Sequence, residues 1–173
     1  PPSASGSPRF CNMGNFMRLP HAENAEGLDF AIVGIPFDTA ASFRAGARFG
    51  PNGIRNISAM IKPNNVAMGV NIMDELKGAD LGDVPVIPDY IHETYAAIEN
   101  TLTGVLNEGA VPISLGGDHA ITLGELRAIY KKHGKVALVH FDSHLDLCDA
   151  VFGQKYNHGT PFRRAMEEGL IDP

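Results

Sequence analysis

Short apolar runs alternate along this chain with helix-length segments, and this alternation limits the folds that the chain can adopt. The runs Asp29–Ile35, Val111–Leu115 and Lys135–Phe141 are nearly continuous in apolar residues, as strands buried on both faces are. Residues 89–108 and 121–132 instead carry apolar residues three and four positions apart, which predicts amphipathic helices. Strands that alternate with such helices form a largely parallel sheet through right-handed crossovers. The sequence therefore predicts an α/β fold.

Weaker signals complete the predicted organisation. A helix is expected from Pro51 to about Met60, because proline suits the first turn of a helix. A brief strand is expected near Leu81, and Thr160 with the following proline predicts the start of a last helix. The proline- and serine-rich beginning predicts a flexible arm over residues 1–20, followed by one α/β domain over residues 21–173.

Composition restricts the classes of partner and location. With 173 residues, 44% of them hydrophobic, the chain can bury the core of one domain. A net charge of -6 argues against nucleic acid as the main partner, because such binding needs a basic surface. No apolar run reaches the roughly 18 residues of a membrane span, so no membrane association is predicted. Cys11 and Cys148 are too few for a disulfide framework, which favours a reducing, cytoplasmic location.

The densest polar cluster follows the third predicted strand directly. Asp142, His144 and Asp146 alternate along this segment, so in an extended chain all three side chains point to one face. The two carboxylates would then stand roughly 13 Å apart, too far for one ion. Either the loop curls around one metal, or the three groups serve two adjacent ions; a solvated surface turn is the alternative. Carboxylate and imidazole donors without thiolate favour Mn, Fe, Ni or Zn.

Two further histidines are candidates for the site. His119 comes after Gly116, Gly117 and Asp118 at the end of the second predicted strand, at the sheet edge where ligands of α/β proteins bind. Alone, this motif could be a helix-capping aspartate beside an incidental histidine. His158 lies in a loop before the last helix, either as a turn residue or as a group for proton transfer. His140, on the predicted strand itself, is interpreted as a satisfied buried histidine rather than a ligand.

Taken in order, these motifs resemble signatures of the ureohydrolase family, to which arginase and agmatinase belong. The resemblance extends from about residue 13 to the end and is strongest to the agmatinase branch. Five segments carry it: Gly34–Asp38, Arg48–Pro51, Leu115–His119, His140–Asp146 and His158–Phe162. It implies a three-layer α/β fold with a largely parallel sheet, incomplete here at the C-terminus, and a homo-oligomer that is a trimer or a hexamer.

Residue by residue, the resemblance implies a dinuclear metal centre and a catalytic histidine. His119, Asp142, His144 and Asp146 match four of the six metal ligands, and His158 matches the catalytic histidine. Mn is the usual metal of the family, with Ni in some members. The other two ligands come from an S-x-D-x-D motif that this sequence does not contain, so the resemblance covers the N-terminal portion of such a domain.

The resemblance also implies an activity. A metal-dependent hydrolase of a linear guanidino compound such as agmatine would release urea and an amine, using a hydroxide held by two cations. His158 would move a proton towards the departing amine. Two alternatives remain open: a non-catalytic homologous subunit or fragment that serves assembly of an active partner, and a hydrolase of another substrate such as guanidinobutyrate or a biguanide.

Overall fold

A three-stranded parallel sheet organises the chain. The computed structural model describes residues 7–11 and 13–172. In the sheet, β1 (Phe30–Ile35) lies between β2 (Gly78–Asp83) and β3 (Val111–Gly116), and both pairings are parallel. A separate antiparallel ribbon joins Asn64–Asn65 to Val70–Asn71. The strands predicted near residues 29–35, 81 and 111–115 are confirmed.

Among the described residues, five α-helices connect and flank these strands. They are α1 (Gly50–Ser58), α2 (Ile72–Glu75), α3 (Ile91–Asn107), α4 (Thr122–His133) and α5 (Pro161–Glu167). Single 3-10 turns span Phe16–Arg18, Ala47–Phe49 and His119–Ile121. The four helices predicted from periodicity and proline placement correspond to α1, α3, α4 and α5. None of the helices in the described part of the chain has the length and apolarity of a membrane span.

Both faces of β1 are covered, which explains its continuous apolar sequence. Val33 and Ile35 pack with Ile98 and Leu102 of α3 in the main core cluster, which α4 also joins. Ile32 points the other way and packs with Leu19. Successive strand residues face opposite sides, so an apolar residue at every position implies a layer on each side. The predicted α/β fold, a parallel sheet with flanking helices, is confirmed.

The prediction of a third strand over Lys135–Phe141 is wrong, since the structure describes this segment without a strand. Only Val136 makes a bridge, to Ile171, while Val139 and Phe141 are 79% and 94% exposed. An apolar run becomes a strand only where another strand offers free backbone groups, because its own N–H and C=O groups must be paired. The outer edge of β3 has no partner among the described residues, but this segment does not pair with it, so its backbone groups are not joined to the sheet.

The end of the predicted N-terminal arm packs against the domain. Leu19 is 2% exposed, and Arg18 is buried. The backbone N–H of Phe16 donates to Asp80 and that of Met17 donates to the hydroxyl of Ser58. Packing therefore begins at least at residue 16 rather than at residue 21. Residues 1–6 and 12 of the predicted arm lie outside the described residues.

A buried ion-pair network ties this N-terminal segment to the sheet. The guanidinium of Arg55 donates to both carboxylate oxygens of Asp80, at 2.8 and 2.9 Å, and also to Asp83 at 2.5 Å. Burial alone would raise the pKa of Asp80, but hydrogen bonds from Arg55, Phe16 and Gly82 outweigh it and hold the pKa below its usual value. The network therefore keeps a charged carboxylate inside the protein.

Replacing Arg55 with alanine is expected to lower the free energy of unfolding by about 3–5 kcal/mol, because Asp80 becomes a buried charge without its partner. Urea denaturation of the full-length protein measures this loss. Because the folded pKa of Asp80 is lowered, its contribution is complete above the unfolded pKa of about 3.9 and is lost as pH falls below it. The exposed pair of Arg163 with Glu167 is the control, since Arg163→Ala removes an ion pair that is already solvated. A loss below about 1 kcal/mol for Arg55→Ala would contradict this account.

Candidate metal centre

The loop after β3 places the first candidate ligand. Gly117 adopts a left-handed φ of 80°, and Asp118 then caps the 3-10 turn by accepting the backbone N–H of Ala120 at 2.8 Å. His119 is the first residue of that turn, at the carboxyl edge of the sheet. The helix-capping interpretation of Asp118 is thus correct, and the cap also fixes the orientation of His119.

Four side chains converge at this edge. Ligand atoms of His119, His140, Asp142 and Asp146 all lie within 4.8 Å of one another. Asp142 Oδ2 lies 3.8 Å from His119 Nδ1, and the carboxylate of Asp146 contacts the same nitrogen. Two imidazoles and two carboxylates suit a divalent cation of the Mn, Fe, Ni or Zn type. The residues present therefore fit the metal ion that the sequence predicts.

The loop curls, so Asp142 and Asp146 do not adopt the extended geometry; the choice between one ion and two adjacent ions stays open at this point. Asp146 has a left-handed φ of 48°, so the chain turns back at this residue. The two carboxylates, roughly 13 Å apart in an extended chain, then both reach His119. Curling brings the first and third groups of the motif to one place.

His144, the middle residue of the motif, lies on the other side of Asp142. Its side chain is 78% exposed and is not among the four converging groups. Its Nδ1 nevertheless lies 3.5 Å from Asp142 Oδ1, whereas Oδ2 faces His119 and His140. Asp142 thus presents one oxygen to each side, the arrangement that a carboxylate between two ions needs.

The sequence does not single out His140 as a candidate metal ligand. It does not pair as a satisfied buried histidine would: its Nε2 is buried without a hydrogen bond among the described residues and lies 3.4 Å from Asp142 Oδ2. The ring stacks on His119 with centroids 5.1 Å apart, and the edge of Phe162 packs against both rings. His140 lies two residues before Asp142, so the alternation that grouped the other three residues could have included it.

Hydrogen bonding prepares Asp142 to bind a cation. The backbone N–H of His144 donates to its Oδ1 at 3.0 Å and holds the pKa of Asp142 below its usual value. The opposite holds for Asp118, where burial raises the pKa despite hydrogen bonds from Ala120 and Ala40. Asp142 is therefore the carboxylate suited to bind a cation over a wide pH range, and Asp118 is a structural one.

His158 faces the same cavity as two of the predicted ligands. Its Nδ1 donates to the carbonyl of Ala40 at 2.7 Å, and its Nε2 lies 3.3 Å from the hydroxyl of Ser42. The cavity, of about 570 Å³, is lined by His144, Leu145, Asp146, Leu147, Cys148, Val151, His158 and Gly159. A molecule in it would contact a histidine suited to proton transfer beside the candidate metal ligands.

The close fit of Gly117 leads to a prediction. A Cβ there would lie 2.8 Å from the carbonyl oxygen of Phe37 and closer still to that of Ile35. Gly117→Ala is expected to cost clearly more than the about 1–2 kcal/mol of a left-handed residue alone, because backbone must move. Gly109→Ala is the matched control, since its φ is 88° and nothing lies within 4 Å. Equal losses in thermal denaturation of the two variants would contradict the close packing around Gly117.

Comparison with known families identifies the family to which the chain belongs. A model of the arginase family matches residues 28–173. The chain belongs to the arginase family. The predicted resemblance to ureohydrolases is thereby confirmed, while the roles of the individual site residues stay predictions.

Two curated relatives of the chain are named for guanidino substrates. The chain is 49% identical to the guanidinobutyrase of Pseudomonas aeruginosa over 95% of its own length and 53% of the relative. It is 45% identical to the mitochondrial agmatinase of Gallus gallus over 99% of its length and 51% of the relative. The chain thus spans about half the length of these curated relatives.

Solved structures of the arginase family superpose closely on the chain. Proclavaminate amidino hydrolase from Streptomyces clavuligerus matches with a TM-score of 0.91 at 39% identity, covering 96% of this chain and 56% of that one. Formiminoglutamase from Trypanosoma cruzi, solved with Mn²⁺, matches with a TM-score of 0.73 at 29% identity, covering 86% and 51%. The site described above therefore lies in a fold that other arginase-family members share.

Proposed function

We propose that this protein is a metal-dependent hydrolase of a linear guanidino compound, from which it releases urea and an amine. One observation carries the proposal: Asp142 and Asp146 converge with His119, beside a cavity that His158 also faces. Membership of the arginase family and relatives named for guanidino substrates support the same activity.

Two divalent ions are proposed for the centre. His119, Asp142 and Asp146 would hold one ion, with His140 also within reach, and Asp142 with His144 would hold the second. The family resemblance implies two further aspartates that would complete the ligand set. Mn is the proposed metal, with Ni as the alternative; the Mn²⁺ in the Trypanosoma cruzi neighbour supports the first.

The chemistry needs both the ions and His158. A guanidinium is resonance-stabilised and permanently charged, so unassisted water is far too weak a nucleophile for it. When bound, two divalent ions would supply water of lowered pKa at the guanidino carbon. His158, at the cavity wall, would deliver the proton that the leaving amine requires.

The cavity wall supports a substrate with an aliphatic chain. Leu145, Leu147 and Val151 line it, and apolar side chains of this kind fit a run of methylene groups. Agmatine and guanidinobutyrate both carry such a chain between the guanidino group and a charged end. A homo-oligomer, trimer or hexamer, and a cytoplasmic location stay predictions, and the Gallus gallus relative is named mitochondrial.

Urea release tests the proposal. The full-length gene product, loaded with Mn²⁺, is assayed against agmatine, guanidinobutyrate, guanidinopropionate, arginine and a biguanide. We expect equimolar urea and amine from at least one linear guanidino compound, and none after the metal is removed by a chelator. If no guanidino compound yields urea from protein shown to contain metal, the hydrolase proposal is wrong and the non-catalytic alternative takes its place.

A further inference from the structure

We propose that Asp118 and Asn157 are positioning residues for proton transfer: Asp118 holds the backbone N–H of Ala40 and Asn157 holds its carbonyl, and together they fix the ring orientation and tautomer of His158. The expected effect on catalysis rests on the proposed function. The expected tautomer of His158 rests only on hydrogen bonds among the described residues.

The tautomer follows from the partner of each ring nitrogen. A backbone carbonyl can only accept a hydrogen bond, so His158 Nδ1, at 2.7 Å from the oxygen of Ala40, must carry a proton. In the neutral ring Nε2 then has a free lone pair, to which the hydroxyl of Ser42 donates at 3.3 Å. Nε2 is thus the nitrogen that can take up a proton and pass it to a substrate atom in the cavity.

The backbone of Ala40 is held on both sides of its Cα. Its N–H donates to Asp118 Oδ2 at 3.0 Å, and its carbonyl accepts the amide of Asn157 at 3.1 Å besides the ring of His158. Ala40 and the two residues that hold it are buried: Ala40 and Asn157 are 9% exposed and Asp118 is 8% exposed. Buried hydrogen-bonding groups with satisfied partners resist rearrangement, so the carbonyl stays aimed at His158 Nδ1.

The same residues connect the two halves of the site. Asp118 directly precedes His119, and its second oxygen accepts Ala120 N–H at 2.8 Å. Asn157 directly precedes His158, and its own oxygen accepts Gly159 N–H at 3.1 Å. One buried network therefore sets the candidate metal ligand and the proton-transfer histidine at a fixed separation, which proton transfer to a bound substrate requires.

Two conservative variants test the network. Asp118→Asn keeps the size of the side chain but loses one acceptor oxygen. Asn157→Asp keeps the acceptor for Gly159 and replaces the donor to Ala40 by a repelling oxygen. Selective ¹⁵N labelling of histidine in the full-length protein, with a diamagnetic divalent ion bound, reports the tautomer of His158. We expect only the Nδ1–H form in the wild type and a measurable Nε2–H population in both variants, with kcat lowered about tenfold to hundredfold and KM nearly unchanged.

The controls separate positioning from general stability. Thr94→Val removes a buried hydroxyl that bonds only the backbone of Ile87, outside this network, so it is expected to lower the melting temperature and to leave the tautomer unchanged. Ser42→Ala removes the donor to Nε2 and should also leave Nδ1–H in place.

A wild-type protein with His158 in the Nε2–H form overturns the proposal. The proposal is also overturned if the tautomer of His158 and kcat match the wild type in both Asp118→Asn and Asn157→Asp. A tautomer shift in an enzyme that releases no urea supports the positioning role and contradicts only the proposed function. If Asp118→Asn loses metal, Asn157→Asp alone decides.

Discussion

Replacing Asp142 with alanine is expected to remove both metal ions and to lower kcat at least about a thousandfold. Asp142 presents Oδ2 to His119 and Oδ1 to His144, so its loss removes a ligand from both proposed ions. Metal ions contribute several kcal/mol to the stabilisation of a hydrolytic transition state, and each 1.36 kcal/mol is a factor of ten in rate. Elemental analysis after gel filtration and urea release measure the two effects.

A matched control for Asp142→Ala lies in the same loop. Asp149 is a carboxylate outside the converging group, and it accepts a hydrogen bond from the buried Arg164 at 2.7 Å. Asp149→Asn keeps an oxygen for that bond, so metal content is expected to match the wild type. Asp142→Ala protein that retains both ions at wild-type affinity would contradict the ligand role assigned to Asp142.

The second large effect is expected for His158→Asn. General acid–base catalysis by a positioned side chain contributes about 10²–10⁴ to the rate, and kcat is expected to fall within that range. Asparagine places an amide near Nδ1, so the bond to Ala40 can persist while the group at Nε2 is lost. Metal content and KM should change little, because His158 is not among the converging ligands.

Added imidazole distinguishes a missing proton carrier from a damaged fold. In His158→Asn protein, imidazole at high concentration is expected to restore part of kcat, because it can enter the cavity that the shorter side chain enlarges. A kcat within about threefold of the wild type, without imidazole, would show that another group carries the proton.

The parallel sheet could be predicted because its information is local. The continuous apolar sequence of β1, the periodicity of α3 and α4 and the placement of Pro51 and Pro161 each act within one element. The segment Lys135–Phe141 shows the limit of such signals. Its composition favours a strand, but a strand also needs a neighbouring strand, often distant in sequence, and local composition carries no information about that neighbour.

The candidate site was predicted in residue types but only partly in arrangement. His119, Asp142 and Asp146 converge as expected from their positions at strand ends. Two features depend on backbone geometry that composition does not encode: the left-handed turn at Asp146 and the opposite orientation of His144. The role of Ala40 could not be predicted at all, since it acts through its backbone carbonyl and its side chain carries no signal.

Anomalous diffraction from crystals of the Mn²⁺-loaded full-length protein tests the central claim most directly. We predict two peaks about 3.5–4 Å apart, both in contact with Asp142. One peak should lie beside His119 and Asp146, and the other beside His144. A single peak, or two peaks that do not share Asp142, would contradict the dinuclear centre on which the proposed hydrolysis depends.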